Sequence, residues 1–265
     1  MVYFIMINNV HYYRTMRSLQ KALEILESMA KLENQKIGVS ELSRYLNLPK
    51  STVYQILSTF RKFRFVEQDG ENKKYRLGLR LLELGNVVQS QLDIRRIAFP
   101  YLKKLNRETN ETAYLVVLAE KRIVYVDCVE STARLRVRPL FGERVPLHCT
   151  SLGKAIMAFL PEYEVERIIK EEGLTRFTSN TITDPGLLKK ELELIRERGY
   201  AIDNMEHEEG IRCVGAPIRN SRGEVFAAIS LSGPSQRLSF ERIRKIAPLV
   251  IQAAREISAK MGYSG

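Results

Sequence analysis

The sequence predicts an α+β protein of two domains joined by a helix, and three observations lead to this assignment. Residues 16–78 contain short amphipathic helical patterns followed by a strand-turn-strand pattern. Residues 94–265 mix strand-like and helical segments. Residues 14–80 hold 14 basic and 7 acidic side chains, so they carry +7 of the net charge of +11. A basic segment of this kind favours an acidic partner such as nucleic acid.

The amino-terminal domain begins with three predicted helices. Ser18 and Ser40 are the expected caps of the first two helices. The stretch "NLPKSTVYQIL" then predicts a tight turn and a third helix, with Ser51 as a capping residue and Val53 and Leu57 in its buried stripe. Two short helices joined by a tight turn are typical of a helix-turn-helix motif.

The free face of the third helix carries hydroxyl, amide and basic groups that can contact phosphates, and Gln55 or Lys50 can reach base edges. A helical hairpin with a solvated face is the alternative. The stretch "FRFVEQDGENKKYRLG" favours DNA binding, because it predicts a two-stranded wing after the helices. The candidate DNA-binding residues are Arg44, Lys50, Ser51, Thr52, Tyr54, Gln55, Ser58, Thr59, Lys62, Lys73 and Lys74.

Two segments flank this domain. Residues 79–93 predict a linker helix that packs either against another protomer or only on its own chain. Residues 1–15 are expected to be a flexible extension, since they lack the basic region and cleavage site of a signal peptide and are too short to span a membrane. No membrane association is expected elsewhere either. The three cysteines form no Cys-x-x-Cys pair, which indicates the reducing cytoplasm.

The carboxy-terminal domain is predicted to be an antiparallel sheet covered by helices, with a pocket in between. The stretch "CTSLGKAIMA" places Thr150 or Ser151 at a helix start, where free backbone N–H groups favour a small carboxylate. Plain helix capping is the alternative. The stretch matches neither a GxxxxGK[ST] phosphate loop nor a GxSxG nucleophile elbow, so no catalytic residue is assigned and an enzyme is not expected.

A zinc site is a further alternative for the same region. Nitrogen, oxygen and sulfur ligands are available there, but their spacing matches no sequential zinc motif. The sequence therefore assigns neither a metal nor a cofactor. The side chains concerned are His148, Cys149, Asp203, His207 and Cys213.

The chain resembles the IclR (isocitrate lyase regulator) family of transcription factors across residues 17–262. The matching segments are "SLQKALEILE", "LNLPKSTVYQIL", "YRLGLRLLELG", "PLHCTSLGKAIMAFLP", "TITDPGLLKKELELIRERGYAIDNMEHEEGIRCVGAPI" and "FAAISLSGP". The resemblance implies a winged helix-turn-helix domain, a linker helix and a GAF-like effector-binding domain. It also implies homodimers, often paired into homotetramers, that bind palindromic operators in double-stranded DNA. Family members act as repressors, activators or both.

The resemblance further implies a small organic acid or aromatic metabolite as effector. In members that bind glyoxylate or pyruvate, the ligand carboxylate meets backbone N–H groups at a helix start, which corresponds to Ser151 and Leu152. Family members often carry smaller residues at these positions, so Leu152 is expected to narrow the pocket and the identity of the effector does not transfer. The implied effector-binding residues are Ser151, Leu152, Asp203, Ile211, Cys213, Ser230 and Ser232. A ligand-free architectural DNA-binding protein remains the alternative function.

Overall fold

The structure is a computed structural model that describes residues 16–31, 36–90, 93–137 and 144–265. The expected extension of residues 1–15 lies outside these ranges. The chain divides into two compact units, the first ending at Ser90 and the second beginning at Gln91. None of the helices in the described ranges has both the length and the apolar character that a membrane crossing requires.

The first unit is the predicted winged helix-turn-helix. Its two strands pair antiparallel, with Glu67 opposite Arg76. Apolar residues from the first three helices and from both strands form one core, which includes Ile25, Leu42 and Leu57. The elements are α1 (Arg17–Lys31), α2 (Val39–Leu46), α3 (Lys50–Lys62), β1 (Val66–Gln68), β2 (Tyr75–Leu77) and α4 (Leu79–Ser90).

The predicted caps of these helices are wrong, because each helix starts earlier than expected. Ser18 lies inside the first turn of α1. Ser40 lies inside α2, where the Glu41 carboxylate instead accepts the N–H of Gly38 at 2.8 Å. Ser51 lies inside α3, which follows Pro49. Pro49 stands at the N-cap position of α3, and no described side chain caps this helix start by a hydrogen bond.

The second unit is the predicted α+β domain with an antiparallel sheet. Its described residues form six strands in the order β5-β4-β3-β8-β7-β6, and every neighbouring pair is antiparallel. The stretch "LRVRP" predicts a further strand. This prediction is wrong for residues 135–137, and residues 138 and 139 lie outside the described residues. The elements are α5 (Asp93–Thr109), β3 (Thr112–Ala119), β4 (Arg122–Val129), β5 (Arg144–Val145), α6 (Ser151–Met157), α7 (Glu162–Glu172), α8 (Pro185–Arg198), β6 (Ala201–Asn204), β7 (Ile211–Arg219), β8 (Val225–Pro234) and α9 (Phe240–Lys260).

The sheet has helices on both faces, and each face has its own core. Leu115 and Leu231 pack in one core with α5 and α9. Tyr114, Val116 and Ala228 pack in the other with α6, α7 and α8. Side chains alternate between the two faces of a strand, so neighbours such as Tyr114 and Leu115 enter different cores. The face that carries Tyr114 therefore lies next to the start of α6.

In the sequence, Asp184 before a helical pattern and Gly199 after it predict the two ends of α8. The Asp184 Oδ1 accepts the N–H of Leu187 at 2.7 Å, which caps the first turn. Gly199 ends the helix in the left-handed region with φ of 79°. Both predictions are confirmed, because capping by Asp and termination by Gly depend on local chain geometry alone.

Candidate functional site

The start of α6 combines a side-chain cap with buried residues whose amides come first in the helix. Thr150 Oγ1 accepts the N–H of Gly153 at 3.0 Å, so the capping interpretation is correct as far as it goes. Gly153 is required there, since a Cβ would lie 2.3 Å from the carbonyl oxygen of Leu147. The amides of Ser151 and Leu152 come first in the helix, where backbone N–H groups have no acceptor within the helix.

A cavity, called the α6 cavity below, lies between this helix start and the strands β6, β7 and β8. Its volume is about 30 Å³, which is room for on the order of one or two water molecules. A metabolite would therefore enter only if lining side chains shift. Of the residues that the sequence assigns to the effector, those lining the cavity are Ser151, Leu152, Asp203, Ile211, Cys213 and Ser232.

Strand pairing brings these distant residues together. Asp203 pairs with Cys213, and Cys213 pairs with Ser232, so three strands contribute neighbouring side chains. Ser230 lies two residues from Ser232 but does not line the cavity. Its hydroxyl is fully buried and has no hydrogen-bond partner among the described residues.

Several lining residues were not among the predicted site residues. Tyr114 and Tyr125 meet edge-to-face, with ring centroids 5.2 Å apart. Burial raises the pKa of Tyr114, so its hydroxyl stays protonated. The alternation of "TAYLVVLAE" and "RIVYVDCVE" is the signal that could have placed both tyrosines on the helix-covered face. The lining residues outside the predicted effector-binding set are Tyr114, Tyr125, Val137, Thr150, His207 and Glu208.

A buried charged cluster lies beside the cavity. Burial raises the pKa of Asp203 to about 7, although its Oδ1 accepts the N–H of Glu206 at 2.7 Å. Lys154 Nζ lies 2.5 Å from Glu206 Oε1, and both side chains are buried. Burial also raises the pKa of Glu206, against the opposing effect of Lys154. Part of the Asp203 population is therefore protonated near pH 7, and a protonated carboxyl has an O–H donor.

Hydroxyl groups of two threonines donate hydrogen bonds to the loop between β6 and β7 and hold it in place. Thr178 Oγ1 donates to the carbonyl oxygen of Met205 at 2.6 Å, and Thr181 Oγ1 donates to that of Glu206 at 2.6 Å. Met205 has φ of 59°, which is uncommon for a residue with a side chain. This loop places His207 in the lining of the cavity. The bend depends on the fold, and no local sequence pattern predicts it.

The potential zinc ligands do not form a site in the described part of the chain. No group of three or more His, Cys, Asp or Glu residues there is placed to hold a metal ion. His148 Nε2 lies 3.0 Å from the carbonyl oxygen of Thr175, and burial lowers the pKa of this histidine. Burial raises the pKa of Cys149 to about 12, so its thiol is neutral.

The candidate DNA-binding face lies on α3. Thr59 Oγ1 donates to the carbonyl oxygen of Gln55 at 3.0 Å, which ties that hydroxyl to its own helix. Thr52 and Ser58 are half-buried rather than exposed. Arg44 is exposed on α2. The exposed predicted residues of α3 are Lys50, Ser51, Tyr54, Gln55, Thr59 and Lys62.

The two lysines of the wing differ in their surroundings. Lys73 is exposed, has φ of 56° and forms no ion pair with a described residue. Lys74 Nζ lies 3.5 Å from Glu41 Oε1. Lys73 is thus the better placed of the two for a phosphate contact.

Known proteins match the chain in both units. Residues 18–70 match the IclR helix-turn-helix domain, and residues 86–259 match the bacterial transcriptional regulator IclR C-terminal domain. The chain belongs to the IclR family. The HTH-type transcriptional regulator KdgR of Escherichia coli (strain K12) is 39% identical over 246 residues, or 93% of each chain. The transcriptional repressor IclR of the same organism is 33% identical over 93% of this chain and 90% of its own length.

Solved IclR structures share the fold. The crystal structure of the Thermotoga maritima IclR is 38% identical, has a TM-score of 0.75, and covers 94% of this chain and 100% of that chain. The expected fold class, with an amino-terminal helix-turn-helix and a carboxy-terminal α+β domain, is confirmed. This IclR-family member is a DNA-binding transcriptional regulator.

Proposed function

We propose that this IclR-family protein binds a palindromic operator as a homodimer, and that a small carboxylate in the α6 cavity controls this binding. The observation that carries the proposal is the cavity itself. Ser151 and Leu152 at the start of the helix, Ser232 with its hydroxyl and Asp203 with its buried carboxyl all line this one small space. Such a set of donors beside aromatic walls suits an oxyacid with an apolar body.

The exposed face of α3 supports operator recognition. Gln55 is exposed and, like Lys50, has a side chain of the type that contacts base edges in the major groove. The hydroxyls and lysines around it suit phosphate contacts, which set register and affinity. The predicted domain boundaries are part of this proposal. Residues 16–78 bind DNA, residues 79–93 form the linker, and residues 94–265 bind the effector.

Exposed leucines in the first unit support a second copy of the chain as partner. Leu19 and Leu23 lie one turn apart on α1 and are 56% and 52% exposed. Leu79 and Leu82 lie one turn apart on α4 and are 69% and 60% exposed. Apolar stripes of this kind favour burial against another subunit. Pairing of dimers into homotetramers would require other surfaces, and the homotetramer stays an alternative to the dimer as the DNA-binding form.

The narrowness of the cavity supports control by a ligand. A cavity of about 30 Å³ must widen before it admits a metabolite. A ligand that binds the wide form better than the narrow form shifts the population between them. The free energy by which the ligand changes operator affinity cannot exceed the difference between its binding free energies for the two forms.

Thermal unfolding tests the ligand part of the proposal. The purified chain is heated with a panel of small carboxylates and aromatic acids, and a ligand raises the unfolding midpoint because it binds the folded state. The shift should disappear in Ser232→Ala and persist in Ser221→Ala, which alters an exposed serine outside the lining. No shift across the panel would favour the ligand-free architectural alternative.

The remaining expectations belong to the same proposal. We infer that the protein acts in the cytoplasm, needs no cofactor and catalyses no reaction. The names of its relatives, which include transcriptional regulators and a transcriptional repressor, support this inference. Incubation of the panel ligands with the protein, followed by mass analysis, should return them unchanged.

A further inference from the structure

A second cavity in the carboxy-terminal unit lies between β7, α9 and the end of α8. Its volume is about 560 Å³, within the range of sites that hold small molecules. It shares no described lining residue with the α6 cavity. The proposed effector function therefore does not account for it.

Three arginines from three elements line this cavity. Arg196 comes from α8, Arg219 from β7 and Arg255 from α9. Among the described lining residues there is no Asp or Glu. The ion pairs found in the described part of this unit use other cations, such as Arg198 and Arg222. Three positive charges therefore line this cavity, and its described lining, which includes the terminal residue Gly265, holds no acidic side chain.

Two of the guanidinium groups are already held in place. Arg196 Nη1 donates to the carbonyl oxygen of Ala158 at 2.9 Å. Arg219 Nη1 donates to the carbonyl oxygen of Gly223 at 2.8 Å, and its guanidinium carbon lies 4.5 Å from the centroid of the Phe159 ring. A guanidinium has five N–H donors, so each group keeps donors for a ligand. Groups that are fixed before binding lose less entropy when the ligand arrives.

We infer that this cavity binds a small phosphate monoester with an apolar body. A phosphate monoester carries close to two negative charges near pH 7 and presents three acceptor oxygens, which suits several guanidinium groups at once. A monocarboxylate offers one charge and two oxygens. Ile251, Ala254 and Pro217 supply an apolar wall for the rest of the molecule. The three arginines line a cleft within one unit of the chain, which suits a small molecule better than the backbone of a DNA duplex.

Calorimetric titration with phenyl phosphate tests the inference on the full chain in phosphate-free buffer. Phenyl sulfate is the matched probe, because it has the same shape with a single charge. Phenyl phosphate should bind once per chain and more tightly than phenyl sulfate. Arg255→Gln should weaken binding by about tenfold or more, as expected for the loss of a charge-assisted hydrogen bond. Arg255 is exposed, so this substitution should not disturb folding.

Control variants separate this site from other sources of affinity. Arg244→Gln alters an exposed arginine of α9 outside the cavity and should leave binding unchanged. Ser232→Ala, in the α6 cavity, should also leave it unchanged. Equal losses in Arg244→Gln and Arg255→Gln, loss in Ser232→Ala, or no saturable binding of phenyl phosphate would each overturn the inference.

A DNA titration distinguishes a free phosphate ester from the phosphates of DNA. Arg255→Gln should bind a random duplex with unchanged affinity and unchanged salt dependence. A smaller salt slope in this variant would assign the arginine to the DNA backbone and overturn the small-molecule site.

Discussion

The exposed face of α3 and the α6 cavity both hold polar side chains, but those of α3 are exposed to solvent and those at the cavity are buried. Gln55 and Lys50 face solvent, so their polar groups need no partner within the protein. Asp203, Glu206 and Lys154 are buried, so each requires a counterion or a hydrogen bond. A substitution on the exposed face should change recognition and leave stability intact. A substitution in the buried cluster should change stability as well.

The largest effect is expected where the buried ion pair is broken. Lys154→Met leaves the Glu206 carboxylate buried without its cation, which should lower the free energy of unfolding by about 3–5 kcal/mol. Urea denaturation measures this change. The double variant Lys154→Met with Glu206→Leu should recover part of the loss, since neither charge then remains.

The matched control for this prediction is Lys189→Met. Lys189 pairs with Glu162 and Glu166 on the surface, and removing this exposed cation should leave stability almost unchanged. Equal losses in Lys154→Met and Lys189→Met would break the distinction between the buried cluster and the exposed surface.

The pH dependence of stability should identify Asp203. Its pKa is 3.8 in an unperturbed chain and about 7 in the fold, so the folded protein binds an extra proton between these values. The contribution of this carboxyl is therefore complete below about pH 4 and is lost as pH rises through about 7. Unfolding in urea at a series of pH values should show stability falling across this window.

Asp203→Asn tests the assignment of that slope. The substitution should flatten the pH dependence without abolishing it, because the pKa of Glu206 is also raised by burial. An unchanged slope in Asp203→Asn would contradict a buried, proton-binding carboxyl at the cavity.

On the exposed face, Gln55→Ala should weaken binding to a selected operator by about 1–3 kcal/mol and leave stability intact. The operator is obtained by selection from random duplexes, and a scrambled duplex reports non-specific binding. Gln20→Ala, on α1, is the control. Equal weakening for both duplexes would reject a base-reading role for Gln55.

The smallest effect is expected in the wing. Lys73→Ala should reduce the salt slope of DNA binding by about one phosphate contact. Lys74→Ala should reduce it less, because Glu41 already lies 3.5 Å from its ammonium group. Salt titrations of both variants measure the difference, and identical slopes would remove the distinction between the two lysines.

The same contrast explains how far the sequence predicts this molecule. The spacing of Val53 and Leu57, Asp184 at the start of α8 and Gly199 at its end are local signals, and they predict their elements correctly. The caps at Ser40 and Ser51 fail because α2 begins at Val39 and α3 at Lys50, so both serines already lie inside their helices. Hydroxyl residues near a helix start do not by themselves decide the first residue.

Local sequence signals do not predict which residues line the α6 cavity. Its predicted residues come from the family resemblance, and strand pairing decides which of them meet. Ser230 and Ser232 look alike in "AISLSG", but only Ser232 lines the cavity. His207 and Glu208 reach it through a loop anchored by Thr178 and Thr181, which no periodicity in the sequence reveals.

Operator binding with and without a panel carboxylate tests the central claim most directly. A labelled operator is titrated with the wild-type chain and with Ser232→Ala, using the carboxylate that raises the wild-type unfolding midpoint. The account predicts that this ligand changes wild-type operator affinity by about fivefold or more and leaves the affinity of the variant unchanged. An operator affinity that stays constant while the ligand is bound would contradict control through the α6 cavity.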